Sequence, residues 1–77
     1  MKVTVTVRPR EGILDPQGEA LQRSLAGLGY DVSDVRAGKV FDLELEAADE
    51  AEARRIADEI SERVLSNPLI EEYRVGA

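Results

Sequence analysis

The side chains that could do chemistry in this sequence are carboxylates, and they come without the companions carboxylate chemistry needs. Asp42, Glu44 and Glu46 alternate with Phe41, Leu43 and Leu45, and Glu71 with Glu72 follows a turn. Two carboxyl groups can divide acid and base work when a pocket raises the pKa of one of them. Here they alternate along one side of a strand pattern, where water solvates them. The same oxygens could hold Mg²⁺ or Ca²⁺, but their spacing matches no calcium loop. Ser24, Ser33, Ser61 and Ser66 have no histidine to activate them, because histidine and cysteine are both absent. That absence also removes thiolate and imidazole metal ligands, disulfides, and the commonest general base. Arg36-Ala37-Gly38-Lys39 sets two cations beside a glycine and could meet an anion, yet the rest of a phosphate-cradling loop is missing.

These residues need a scaffold, and 77 residues provide one domain over 1–77. A chain of this size buries only about 60% of the surface its unfolded form exposes, so its core is marginal. With disulfides and thiolate metal sites excluded, self-association is the remaining supplement. The net charge of −6 repels a phosphate backbone or an anionic membrane surface. Tyr30, Phe41 and Tyr73 are too few for a base-stacking platform. No apolar run approaches the ~18 residues of a membrane span, and the opening MKVTVTV is too short and polar for a signal peptide. The expected compartment is the cytoplasm, with neither nucleic acid nor membrane as partner.

Val3, Val5 and Val7 alternate with polar residues, which predicts a half-buried strand ended by Pro9 and Gly12. Asp15 can cap a helix and Pro16 suits its first position; Leu21, Leu25 and Leu28 form one stripe, and Gly29 is its left-handed end. Strand patterns return between Tyr30 and Glu46. Val35 and Ala37 differ in parity from Val32, which predicts a bulge or a late strand start near Ser33-Asp34, and Gly38-Lys39 reads as a hairpin turn. Asp49 with Glu52 opens a second helix whose stripe is Ala53, Ile56, Ala57, Ile60 and Val64. Glu50–Arg54 and Glu59–Arg63 are spaced for ion pairs on its outer face. Asn67-Pro68 stops that helix, and Leu69 to Val75 forms a last strand. The order βαββαβ predicts an α+β, ferredoxin-like sandwich: a four-stranded antiparallel sheet with both helices on one face. An open sheet face, free edges and a small core favour a homodimer or a higher assembly.

Two segments are more elaborate than turns require: Asp15-Pro16-Gln17-Gly18, and Ser66-Asn67-Pro68-Leu69-Ile70-Glu71. Together with Arg8-Pro9, Leu28-Gly29, Val35-Arg36-Ala37-Gly38-Lys39 and the closing Glu72-Tyr73, they resemble one family along the whole chain. That family is PurS, the small subunit of phosphoribosylformylglycinamidine (FGAM) synthase. Ser66 stands where alanine is commoner. The resemblance implies a homodimer that sits between a glutaminase subunit and a large ATP-dependent synthetase subunit and assists ammonia transfer between them. It implies no catalytic residue and no cofactor on this chain, ATP and Mg²⁺ being used by the synthetase subunit. Asp15, Pro16, Gln17, Gly18, Arg36, Gly38, Lys39, Asn67 and Pro68 are the candidate partner-docking residues. Two rival readings share the strand order: a regulatory module binding a small metabolite at a dimer interface, and an acylphosphatase-type enzyme. The latter needs a phosphate loop beside an arginine and an asparagine. Arg8 and Arg10 are present, but the loop is not phosphate-like and Asn67 lies far along the chain.

Overall fold

A computed structural model describes residues 1–76. Its elements are β1 (Lys2–Pro9), α1 (Pro16–Gly27), β2 (Lys39–Glu44), α2 (Glu50–Ile60) with a π-helical turn at Ser61–Leu65, and β3 (Glu71–Gly76). The strands form an antiparallel sheet in the order β2-β1-β3. Valine alternation sets its register: Val5 stands opposite Phe41 on one side and Val75 on the other. Val3, Val5 and Val7 point to one face and are covered there by Ala53 and Ala57 of α2. The small residues let the helix approach closely, and this layer is the core. The other face is polar, with Thr4 donating to Asp42 (3.1 Å).

Both helix starts form as their sequences predict. The Asp15 side chain accepts from the Gly18 amide and the Asp49 side chain from the Glu52 amide, with Pro16 in the first turn of α1. The end of α1 is a Schellman motif: Gly29 has φ +95°, its amide donates to Ala26, and the Tyr30 amide donates to Leu25.

Three expectations are corrected. Among the described residues the sheet has three strands, not four. Gly38-Lys39 is no hairpin turn, because Lys39 already pairs with Val7 and Gly38 keeps an ordinary negative-side backbone. Gly38 is needed for another reason: a Cβ there would stand 2.7 Å from the Val7 carbonyl oxygen. The chain instead runs without turn or bend from Asp34 into β2, so Val32 to Ala37 overshoots the sheet and does not fold back onto it. Second, α1 does not join α2 on the sheet. It lies along the overshooting segment, where the Gln22 side-chain amide donates to the Val32 and Ser33 carbonyls (3.0 and 3.1 Å). Helix and segment together make an arm. The molecule is accordingly 51 Å long, and its radius of gyration is 15.7 Å against about 11–12 Å for a compact chain of this length.

Third, the stripe of α2 shifts at its end. The Ser66 amide donates to the Ser61 carbonyl five residues back (2.9 Å), widening the turn. Ser61 and Leu65 thereby stay on the sheet side, while Val64 turns out and is 74% exposed. The buried Ser61 hydroxyl is satisfied by the Ala57 carbonyl (2.6 Å). Of the two helix ion pairs, Glu59–Arg63 forms at 3.3 Å. Arg54 donates instead to the Val75 carbonyl (3.2 Å), and Arg55 pairs with Glu59.

Candidate partner-docking surface

The motif segments lie far apart in sequence, and the fold gathers most of them at one end of the sheet. Asp15 is the organising residue. One carboxylate oxygen accepts from the Gly18 amide (3.1 Å), and the other accepts from the Ala37 amide (2.8 Å). These two bonds, with Arg36 nearby, hold the Asp15 carboxyl below the usual carboxylate range. It is an anion that ties the start of α1 to the strand entering β2. Gly18 is buried because the Val35 carbonyl passes over it, leaving no room for a side chain. The Arg36 guanidinium reaches the carbonyls of Pro9 and Arg10 (3.3 and 2.8 Å), fastening the same strand to the end of β1.

The Asn67-Pro68 joint is tied to the same place. Asn67 accepts from the Leu69 amide with its side chain and from the Ile70 and Glu71 amides with its carbonyl. The Glu71 carboxylate returns to the Asn67 amide (2.8 Å). Arg10 then clamps this turn through two bonds, its side chain donating to the Pro68 carbonyl and its amide to the Ile70 carbonyl. Bonds within the turn and the clamp from Arg10 thus fix its shape before any partner arrives.

Between the segments lies an open depression of about 350 Å³. Its rim includes Leu14, Pro16, Gln17, Gly38, Lys39 and Ile70. Leu14 is 69% exposed and Ile70 45%, and Leu69 beside them is 85% exposed. Of the nine candidate docking residues, Asp15, Pro16, Gln17, Gly38 and Lys39 line the depression. Gly18 and Arg36 support it from behind, and Asn67 and Pro68 fix the turn that presents Ile70. Leu69 and Ile70 stood inside one motif segment and Leu14 beside the other, but none of the three was a candidate docking residue. The signal was an apolar residue on either side of a rigid turn, where nothing in the chain itself covers it.

The chemistry of this surface is that of recognition. Exposed aliphatic side chains sit on backbone fixed by capped turns, with Lys39 and Glu71 at the edge. Tyr73, the nearest phenol in the closing motif, is pushed above its usual pKa by burial and by Asp58 and Glu62. It is a neutral, half-buried ring at physiological pH.

Comparison with known proteins decides the family. The family model of PurS, described as phosphoribosylformylglycinamidine (FGAM) synthase, matches residues 2–77. The chain belongs to the PurS family. PurS is a subunit of FGAM synthase, a ligase complex of purine biosynthesis. The PurS subunit of Synechocystis sp. is 48% identical over 94% of this chain and 71% of its own length. The crystal structure of Bacillus subtilis PurS has a TM-score of 0.87 at 41% identity, covering 97% of this chain and 94% of that one. A chain in the structure of PurLQS from Thermotoga maritima has a TM-score of 0.86 at 37% identity, covering 97% and 93%. The PurS fold is thus shared by chains solved alone and by one solved within a larger assembly. Among the described residues, no helix is long and apolar enough to cross a membrane.

Proposed function

We propose that this chain is the adaptor of its FGAM synthase: a self-associating subunit that bridges a glutaminase and an ATP-dependent synthetase. In that role ammonia released by the first reaches the second without passing through bulk water. The observation that carries this reading is the convergence of three sequence-distant motifs on one rigid depression rimmed by exposed Leu14 and Ile70. Rigid backbone with uncovered aliphatic side chains suits docking, since little conformational freedom is lost on binding. Shielding is chemically necessary for ammonia, because protonation to ammonium removes the lone pair that attacks the activated carbon. The chain supplies position, and the partners supply the nucleotide, the magnesium and the reacting groups. The relative solved as PurLQS supports a place in such an assembly.

The test is reconstitution of the synthetase and glutaminase with and without this chain, comparing turnover driven by glutamine with turnover driven by ammonium salt. The adaptor reading requires glutamine-driven turnover to depend on the chain and ammonia-driven turnover to be independent of it. Equal effects on both rates would move the function to the synthetase's own chemistry. No effect and no co-elution would remove the adaptor role.

A further inference from the structure

The last strand has an outer edge that the chain neither pairs nor defends. The Arg10 amide donates to the Ile70 carbonyl (2.9 Å), which continues the register that sets Arg8 opposite Glu72. Bonded and unbonded pairs alternate along an antiparallel ladder, so Glu72, Arg74 and Gly76 turn their backbone groups toward β1. Glu71, Tyr73 and Val75 turn theirs outward. The other side of β1 agrees. The Met1 and Leu45 backbones exchange both their bonds there, so the odd-numbered residues of β1 serve β2 and the even-numbered ones serve β3. Two of the outward groups of β3 are satisfied within the chain: the Glu71 amide donates to the Asn67 carbonyl (2.7 Å), and the Val75 carbonyl accepts from Arg54 (3.2 Å). Between them the Glu71 carbonyl, both Tyr73 groups and the Val75 amide find no partner among the described residues. An added antiparallel strand would take four hydrogen bonds from them, two at Tyr73 and one at each end. Unpaired edges are normally blunted by proline, lysine or a bulge, and Glu71 to Gly76 carries none of the three.

The side chains around this window say what strand fits it. Tyr73 stands opposite Val7, so its ring lies on the face of the sheet that α2 covers. Asp58 and Glu62 of α2 are close enough to push the phenol pKa up. Both carboxylates are exposed, and neither forms an ion pair among the described residues. A residue paired with Tyr73 from outside places its side chain on this same face, beside the ring and the two carboxylates. Lys or Arg suits that position, because a cation there meets opposite charge and an aromatic ring together. On the polar face, the flanking residues of the added strand meet an open depression of about 240 Å³ lined by Thr6, Arg8, Glu72, Tyr73 and Arg74. A second copy of this chain does not suit the edge. With β3 laid antiparallel on itself about Tyr73, both copies' Asp58 and Glu62 would meet as four carboxylates.

We propose that the outer edge of β3 is a second docking surface, to which one of the other subunits of the complex adds an extended segment with Lys or Arg opposite Tyr73. This rests on the adaptor reading. It supplies the second of the two contacts a bridge needs, the depression at Leu14 being the first.

The test is amide hydrogen exchange of the chain alone and in the complex reconstituted with the synthetase and glutaminase, read residue by residue by mass spectrometry with electron-transfer fragmentation. In the chain alone, the outward amides of Tyr73 and Val75 are expected to exchange faster than those of Glu72 and Arg74, which are bonded to β1. In the complex, the Tyr73 and Val75 amides are expected to slow about tenfold or more, and those of Glu72 and Arg74 to change less. As an independent check, Asp58→Lys combined with Glu62→Lys, two exposed changes that leave the circular dichroism spectrum intact, is expected to weaken association with the other subunits about tenfold or more. A complex that forms while the Tyr73 and Val75 amides exchange as in the free chain overturns this docking edge and leaves the adaptor reading standing. So does an affinity unmoved by the double charge reversal. Slowing of those amides in the chain alone as its concentration rises assigns the edge to a second copy and overturns the proposed occupant. Failure of the three subunits to associate overturns both the edge and the adaptor reading.

Discussion

Gly18 lies so close beneath the Val35 carbonyl that a Cβ added to it would fall well under 3.0 Å from that oxygen. The two residues belong to the opposite limbs of the arm, so the glycine sets how closely α1 and the returning strand approach. A methyl group at this point must push backbone, which does not yield as a flexible side chain does. Gly18→Ala is therefore expected to destabilise the chain by about 1–3 kcal/mol. For a domain of this size that lowers the thermal midpoint by roughly 4–8 °C per kcal/mol. Gly27→Ala provides the contrast, because nothing lies within 4 Å of a Cβ there. It is expected to be neutral or to stabilise by up to about 1 kcal/mol. Equal melting curves for the two variants would show that the Gly18 contact carries no constraint.

The Asp15 carboxylate makes the arm sensitive to acid. Its folded pKa lies below the ordinary value of 3.8 because the Ala37 and Gly18 amides and Arg36 favour the anion. A depressed carboxyl pKa contributes stability above the unfolded pKa, and that contribution is lost as pH falls through the folded one. Denaturant midpoints measured from pH 7 downward are thus expected to be level until about pH 4 and to fall below it. Asp15→Asn should lower the neutral-pH midpoint and flatten the acid limb, since its amide is not an anion at any pH. A variant with the wild-type slope below pH 4 would assign that limb to other carboxylates.

Much of this fold was legible because its signals are local. Valine alternation in β1, the Asp15 and Asp49 caps and the Gly29 end each depend on residues within one turn or one strand, and each formed as read. The fourth strand was not legible. Residues 30–37 carry strand-forming residues, but pairing is a property of two segments, and within this chain the second segment is missing. Gly38-Lys39 misled for a related reason. A glycine beside a charged residue marks a two-residue turn only if its φ is positive, whereas Gly38 is a glycine because Val7 passes close to it. Parity gave the better clue: Val35 and Ala37 agree with Phe41 and Leu43, as in one continuous strand. The docking motifs were visible as unusual turns, yet their convergence was not, because it depends on the contact of Asp15 with Ala37, 22 residues away. Leu14 and Ile70 stood in or beside the motifs and were not chosen, since exposure is invisible in a composition.

The π-helical turn offers a test of packing. Ser61, at the end of α2, is fully buried, and its hydroxyl donates to the Ala57 carbonyl. That carbonyl also accepts from the Ser61 amide, so removing the hydroxyl leaves it satisfied. Ser61→Ala is expected to cost no more than about 1.5 kcal/mol in urea denaturation. Ser61→Leu has nowhere to place its larger side chain at a fully buried position, and is expected to cost about 3 kcal/mol or more. A tolerated leucine would mean that the turn opens easily, and Ser61 would then not define the approach of α2 to the sheet.

Leu14 is the residue on which docking can be separated from folding. It is largely exposed and stands on the rim of the depression, so a polar replacement removes no core contact. Burying a leucine against a partner contributes about 1.5–3 kcal/mol, and a carboxylate in its place adds a desolvation cost. At 1.4 kcal/mol per factor of ten, Leu14→Glu is expected to weaken association with the other subunits by tenfold to a hundredfold or more. Its melting temperature should stay within a few degrees of the parent. In the reconstituted enzyme, glutamine-driven turnover should fall at limiting subunit concentration and recover when this chain is added in excess. Ammonia-driven turnover should not change. Arg55→Ala, on the exposed side of α2, should leave both rates alone, so parallel losses in the two variants would point to a general defect. Unchanged affinity in Leu14→Glu would move the docking surface away from this depression, leaving the polar sheet face and the free edge of β3 as the places where a partner could bind.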